Sequence, residues 1–149
     1  MIDQGDKFPD FELQDQDGRT LTLDDLKGQR AVIYFYPKDD TSGCTAQACA
    51  LRDEMPRFEG VRVVGVSPDG VASHKKFEQK YGLNFTLLAD VGHRLAEACG
   101  VWVEKSMYGK SYMGVERTTL LLDEDGRVLR VWRKVKPQEH AADVLSALA

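Results

Sequence analysis

Three cysteines in 149 residues are too few, and odd in number, for a disulfide framework. Thiols this sparse point instead to a reducing compartment, where they serve catalysis, sensing or simple burial. Excess positive charge is also missing. Twenty Lys+Arg against 24 Asp+Glu leave a formal charge of −4, without the electrostatic footprint that nucleic acid or an anionic membrane requires. No apolar run approaches the roughly 20 residues that span a bilayer, and Met1 to Asp6 has neither the basic start nor the apolar core of a signal peptide. These absences predict a cytoplasmic chain with no nucleic-acid or membrane partner. Repeats and low-complexity linkers are lacking, so residues 1–149 are read as one domain with its own core. His74, His93 and His140 stand at no metal-ligand spacing and are expected on solvated helix or loop positions.

What the chain does have is the octapeptide Pro37-Lys38-Asp39-Asp40-Thr41-Ser42-Gly43-Cys44, between the apolar run Ala31 to Tyr36 and a helix-like stretch containing Cys49. Cys44 is thereby placed where a buried strand hands over to a helix N-terminus. Free backbone N–H groups and the positive end of the helix dipole favour a thiolate there, and the thiolate is the nucleophilic form.

Strands and helices alternate around this motif. Phe11 to Gln14 and Thr20 to Leu23 flank the hairpin signal Asp17-Gly18, and Asp24 to Lys27 reads as one helical turn. Ala31 to Tyr36 and Val61 to Ser67 read as strands buried on both faces, with a helix from Cys44 to about Met55 between them. A helix over Val71 to Tyr81, stopped by Gly82, leads to a short strand Phe85 to Leu88 and a short helix His93 to Cys99. Thr118 to Leu122 and Val128 to Trp132 form a late hairpin, and Gln138 to Leu148 closes as a helix after Pro137. The order predicts an α/β fold: a mixed central sheet flanked by helices, with an N-terminal β-hairpin extension.

A thioredoxin-like sheet satisfies that order. In it, the strand before Cys44 is central and the late strand Thr118 to Leu122 runs antiparallel beside it, so Arg117 falls near the Cys44 loop. Such a cation is needed. Keeping an ordinary thiol mostly ionised at neutral pH takes roughly 3 kcal/mol, whereas a helix terminus contributes about 0.3–1 kcal/mol and at best about 2. Asp39 and Asp40, taken as screened loop charges, oppose the thiolate, and Arg52 lies toward the wrong end of the helix. Cys49 has two readings from its spacing: a small apolar residue on a buried helix face, or the partner of Cys44. On an ideal helix their Cα atoms are roughly 8–9 Å apart, beyond the approximately 7 Å limit of a disulfide. Pairing would therefore unwind at least the first turn.

The spacing of Pro37, Thr41 and Cys44 resembles the P-x-x-x-T-x-x-C motif of peroxiredoxins. Gly43-Cys44-Thr45 with Cys49, Arg52 and Asp53 is similar to the PrxQ, or bacterioferritin comigratory protein, type. Val64 to Asp69, Ser73 to Phe77, Lys80 to Gly82, Met107 to Lys110 and Gly114 to Thr119 extend the similarity over nearly the whole chain. The resemblance implies a thioredoxin-fold thiol peroxidase, reducing hydrogen peroxide and organic hydroperoxides without a metal or organic cofactor. It implies that Cys44 attacks the peroxide, that Cys49 resolves the sulfenic acid as an intrachain disulfide, and that Pro37, Thr41 and Arg117 complete the pocket. Thioredoxin or a similar dithiol would recycle the enzyme. Two positions depart from the family pattern: Ser42 where Pro is common, and Gln47 where Glu is common. Ser42 is expected to cap the helix.

Cys99, before Gly100, reads as a buried structural thiol, and Arg130, Arg133, Lys134 and Lys136 as a solvated face. Met107, Tyr108, Tyr112 and Met113 fit either ordinary packing or the wall of a hydroperoxide pocket. Two other functions compete with the peroxidase: a thioredoxin-like disulfide oxidoreductase, and a redox sensor or holdase without catalysis. The four residues between Cys44 and Cys49 disfavour the first of these, which typically uses C-x-x-C. Two thiols within one chain do not require a dimer, and a monomer is expected. Oxidised protein should run as a monomer on a non-reducing gel; a covalent dimer would contradict the intrachain pairing.

Overall fold

The computed structural model describes residues 1–148. Strands β1 (Glu12–Asp15) and β2 (Thr20–Thr22) form the N-terminal hairpin, followed by the single turn α1 (Leu23–Leu26). β3 (Arg30–Phe35) then leads to α2 (Ser42–Glu54) and a 3-10 turn (Met55–Phe58), and β4 (Val61–Ser67) to α3 (Val71–Tyr81). Helix α2 gives way to the 3-10 turn at Met55, where Pro56 has no N–H to continue the α-helical ladder. Helix α3 stops at Gly82, which takes the left-handed conformation at φ 61 and donates to Glu78 O. β5 (Thr86–Ala89), α4 (Arg94–Ala98), β6 (Trp102–Met107), β7 (Lys110–Val115), β8 (Thr118–Leu122), β9 (Val128–Arg133) and α5 (His140–Leu148) complete the order.

Seven strands form one mixed sheet in the order β2-β1-β5-β4-β3-β8-β9. β3 lies parallel to β4 and antiparallel to β8. Period-2 alternation along β3 divides the interior in two. Ala31, Ile33 and Phe35 face a core shared with Phe8, Leu95, Cys99 and Val101, while Val32 and Tyr34 face Leu51 of α2, Phe77 of α3 and Val144 of α5. The mixed sheet between helices is the expected fold. None of the described helices is long and apolar enough to cross a membrane.

Several element ends fall one or two residues from expectation, and one region differs in kind. α5 begins at His140, with Gln138 and Glu139 in the preceding turn. β6 and β7 form a separate two-stranded sheet where a Gly-flanked segment was read, turning at Tyr108 and Gly109, both at positive φ. Its alternation is weak because neither face is fully covered, so the periodic signal of a strand is absent from the sequence. Met107, Tyr108, Tyr112 and Met113 stand exposed on it, Tyr108 at 97%, so ordinary core packing is not their role.

Gly65, in the centre of the sheet, is fixed by packing. A Cβ there would lie 2.8 Å from Tyr34 Cζ, and the Tyr34 ring is hemmed in by Tyr36, Phe85 and His140 at centroid distances of 5.4, 6.1 and 5.6 Å. Gly65→Ala should therefore destabilise the protein by about 1–3 kcal/mol, seen as a lower denaturant midpoint at unchanged slope.

Candidate active site

The register of the sheet builds the site. Pairing of Phe35 with Thr118 puts Arg117, just before β8, beside the loop that leaves β3. Thr41 is the N-cap of α2, and its carbonyl accepts from Thr45 N at 2.8 Å. Cys44 is the third residue of the helix and is 1% exposed. Arg117 Nη2 donates to Cys44 Sγ at 3.2 Å, and Nη1 donates to Gln47 Oε1 at 2.9 Å. One guanidinium thus grips two residues three apart on the same helix face. The backbone of Arg117 is held in turn, its carbonyl accepting from Val135 N at 3.0 Å.

Gly43 makes this approach possible: a Cβ there would stand 2.8 Å from Arg117 Nη2 and 3.6 Å from Pro137 Cγ. The first turn of α2 carries no acidic residue, so its N-terminal dipole and Arg117 act on Cys44 with the same sign. Gln47, marked in the sequence only as a departure, is the second acceptor for Arg117, and its Nε2 is buried without a partner. The spacing of three from Cys44 was the available signal. Burial, then the neighbouring Arg117 charge, lower the Lys105 ammonium below its ordinary value, while Cys44 acts in the opposite direction.

The other expected residues are placed less directly. Pro37 is half-buried in the same loop. The Thr41 hydroxyl donates to Lys38 O at 2.9 Å rather than to sulfur. Ser42 is not the cap; the chain turns helical one residue earlier, after Thr41, whose side chain makes no capping bond. Cys49 is half-buried, a free thiol farther along an unbroken α2. Arg52 faces away, bonded to Asp53 and Tyr81 O. Cys99 lies in the core on the opposite side of the sheet from Cys44, its thiol pushed up to about 12 by burial and then by Asp90. Arg130, Arg133, Lys134 and Lys136 are exposed, as expected.

Two histidines and an aspartate correct the sequence reading. His74 and His140 are 0% and 1% exposed rather than solvated. Asp39 is 7% exposed, not a screened loop charge. Asp39 and His74 find partners distant in sequence, as does His140 through Nε2 while its Nδ1 is buried without one, and no local pattern reveals this. Ligand-type atoms of Asp39, Asp69 and His74 cluster within 4.8 Å of one another. They are engaged in hydrogen bonds: His74 Nδ1 with Asp39 Oδ2 at 2.7 Å, and Asp69 Oδ2 with Asp39 N at 2.7 Å.

A thioredoxin-like sheet that presents a cysteine at a helix N-terminus, with an arginine donating to its sulfur, is the architecture of a thiol peroxidase. Residues 4–131 match the AhpC/TSA family model, and the chain belongs to that family. The peroxiredoxin Bcp of Bacillus subtilis is 48% identical over 149 residues, covering 99% of this chain and 95% of its own. That of Escherichia coli K12 is 47% identical over 146 residues, covering 97% and 94%. Among solved structures, Xylella fastidiosa PrxQ superposes with a TM-score of 0.94 at 36% identity, covering 99% of this chain and 96% of that one. The bacterioferritin comigratory protein of Xanthomonas campestris, studied for its alkyl peroxide reduction activity, gives 0.88 at 43% identity, covering 93% and 89%. The chain is accordingly a peroxiredoxin of the PrxQ type, an oxidoreductase that reduces peroxides with thiols.

His140 sits behind this site, its Nε2 2.7 Å from Thr119 Oγ1. Burial, with the Arg117 charge second, lowers its pKa from 6.5 to about 4. Below pH 6.5 an unfolded chain takes up a proton that the folded chain refuses, so stability is lost as pH falls from about 6.5 to about 4. The full effect is on the order of 3 kcal/mol. Denaturation followed across this range should show that loss, and His140→Gln should flatten it.

Proposed function

We propose that Cys44 is the peroxidatic residue and Cys49 the resolving one, with Thr41, Pro37 and Arg117 forming the peroxide pocket in a single domain spanning the chain. The observation that carries this reading is the Arg117 guanidinium 3.2 Å from Cys44 Sγ. The Cys44 thiolate attacks one peroxide oxygen, the O–O bond breaks, and the other oxygen leaves as hydroxide or alkoxide and takes up a proton. Negative charge spreads over sulfur and both oxygens, and Arg117 stabilises it with fixed cationic donors. The Thr41 hydroxyl, its proton directed to Lys38 O, offers lone pairs to the O–H of the peroxide. Pro37 has no N–H and adds no competing donor.

Cys44 is left as a sulfenic acid. The Cys49 thiol attacks its sulfur, the S–O bond breaks, and water leaves as the disulfide forms. Because both residues lie on α2, the first turn must unwind, and Arg117 must release Cys44. A dithiol protein such as thioredoxin then reduces the disulfide by two exchange steps and is itself oxidised. This cycle operates in a monomer and suits the reducing cytoplasm.

Peroxide consumption coupled to thioredoxin tests the assignments. Cys44→Ser should abolish it, and Cys49→Ser should retain one oxidation event and lose turnover. Arg117→Ala should slow peroxide reaction by about 100-fold or more with little change in thermal midpoint. Equal losses of rate and stability would make the arginine structural. Full activity in Cys44→Ser, or no consumption by wild type with any dithiol, would overturn the reading.

A further inference from the structure

We propose that His74 and Asp39, which take no part in the chemistry, are positioning residues that hold the pocket loop through the peptide joining Lys38 to Asp39. The Asp39 carboxylate reaches into the interior between β3 and α3. It accepts from the Tyr36 hydroxyl, from Ser73 Oγ at 2.8 Å, and meets His74 Nδ1 at 2.7 Å. His74 Nε2 lies 2.9 Å from Leu88 O. A carbonyl only accepts, so Nε2 donates to it and Nδ1 faces the carboxylate, the two side chains being buried at 0% and 3% exposure.

The backbone completes the connection. Asp39 N–H donates to Asp69 Oδ2 at 2.7 Å, and Asp69 is fixed by Ser67 Oγ at 2.7 Å at the end of β4. The carbonyl of the same peptide, Lys38 O, accepts the Thr41 proton. Fixing this peptide on its N–H side and through the Asp39 side chain fixes the direction of the Thr41 hydroxyl. Asp40 steadies the outer side of the loop: at φ 58, it pairs with Lys80 Nζ at 2.8 Å and accepts from Tyr81 Oη at 2.6 Å. These anchors lie in β4, β5 and α3 and in the loops that follow β3 and β4, and none lies in α2. The pocket loop therefore keeps its shape when the first turn of α2 unwinds and re-forms.

This inference rests on the reading of Thr41 as a pocket residue, and the experiment separates the two. In a Cys49→Ser background, the second-order rate constants of Cys44 with hydrogen peroxide and with iodoacetamide are measured for His74→Leu, His74→Asn and Thr41→Val, with thermal midpoints. Alkylation reports thiol reactivity without using the peroxide pocket. Asparagine places an amide donor near the position of Nδ1, whereas leucine fills space without one. The expected result for His74→Leu is a peroxide constant about tenfold lower with alkylation within about twofold, and for His74→Asn a peroxide constant within about threefold of the parent even if its midpoint falls. An unchanged peroxide constant in His74→Leu overturns the inference. So does a parallel loss of both rates that tracks stability, with asparagine no better than leucine. An unchanged peroxide constant in Thr41→Val overturns the reading of Thr41 itself.

Discussion

Everything at this site depends on one antiparallel pairing. Because β8 runs against β3, the residue before β8 meets the loop after β3, and a guanidinium 73 positions downstream reaches the sulfur of Cys44. Neither the helix dipole nor the local sequence provides that cation. The two cores on either side of the sheet, and the packing that fixes Gly65 against Tyr34, hold the register in which the meeting occurs. Stability and chemistry are thus joined at the level of strand pairing rather than in any single loop.

The same contact sets up a conflict. Arg117 stabilises the first turn of α2 by bridging Cys44 and Gln47, whereas pairing of Cys44 with Cys49 would undo that turn. Gln47 softens the conflict. A neutral amide gives Arg117 a weaker acceptor than a carboxylate would, and its buried Nε2 finds no partner. Farther along, Leu51 is fully buried and Arg52 is tied to Tyr81 O, so the far end of the helix has anchors of its own that do not involve Arg117.

Much of this was legible in the chain. The buried strand before Cys44, the β4 and α3 boundaries and the Gly82 stop follow from periodicity and glycine conformation, which are local properties. Arg117 was reachable because an assumed topology turned sequence distance into proximity. The β6–β7 hairpin was missed because neither face is fully covered, leaving no alternation to read. Asp39, His74 and His140 were misplaced for a different reason. Polar residues look like surface residues until their partners are known, and here those partners lie 35, 14 and 21 positions away.

Gly43 shows where selection would fall. The one atom a methyl group there would crowd, at 2.8 Å, is the far end of a flexible side chain, so the fold would accommodate alanine by letting the guanidinium swing aside. That same movement would take Nη2 off the sulfur. The position is sterically tolerant and chemically strict, and its strictness is borrowed: the residue reacts with nothing and binds nothing. A lineage in which arginine approaches cysteine from this side is committed to glycine at this point, and one that lost the arginine would be free to abandon it.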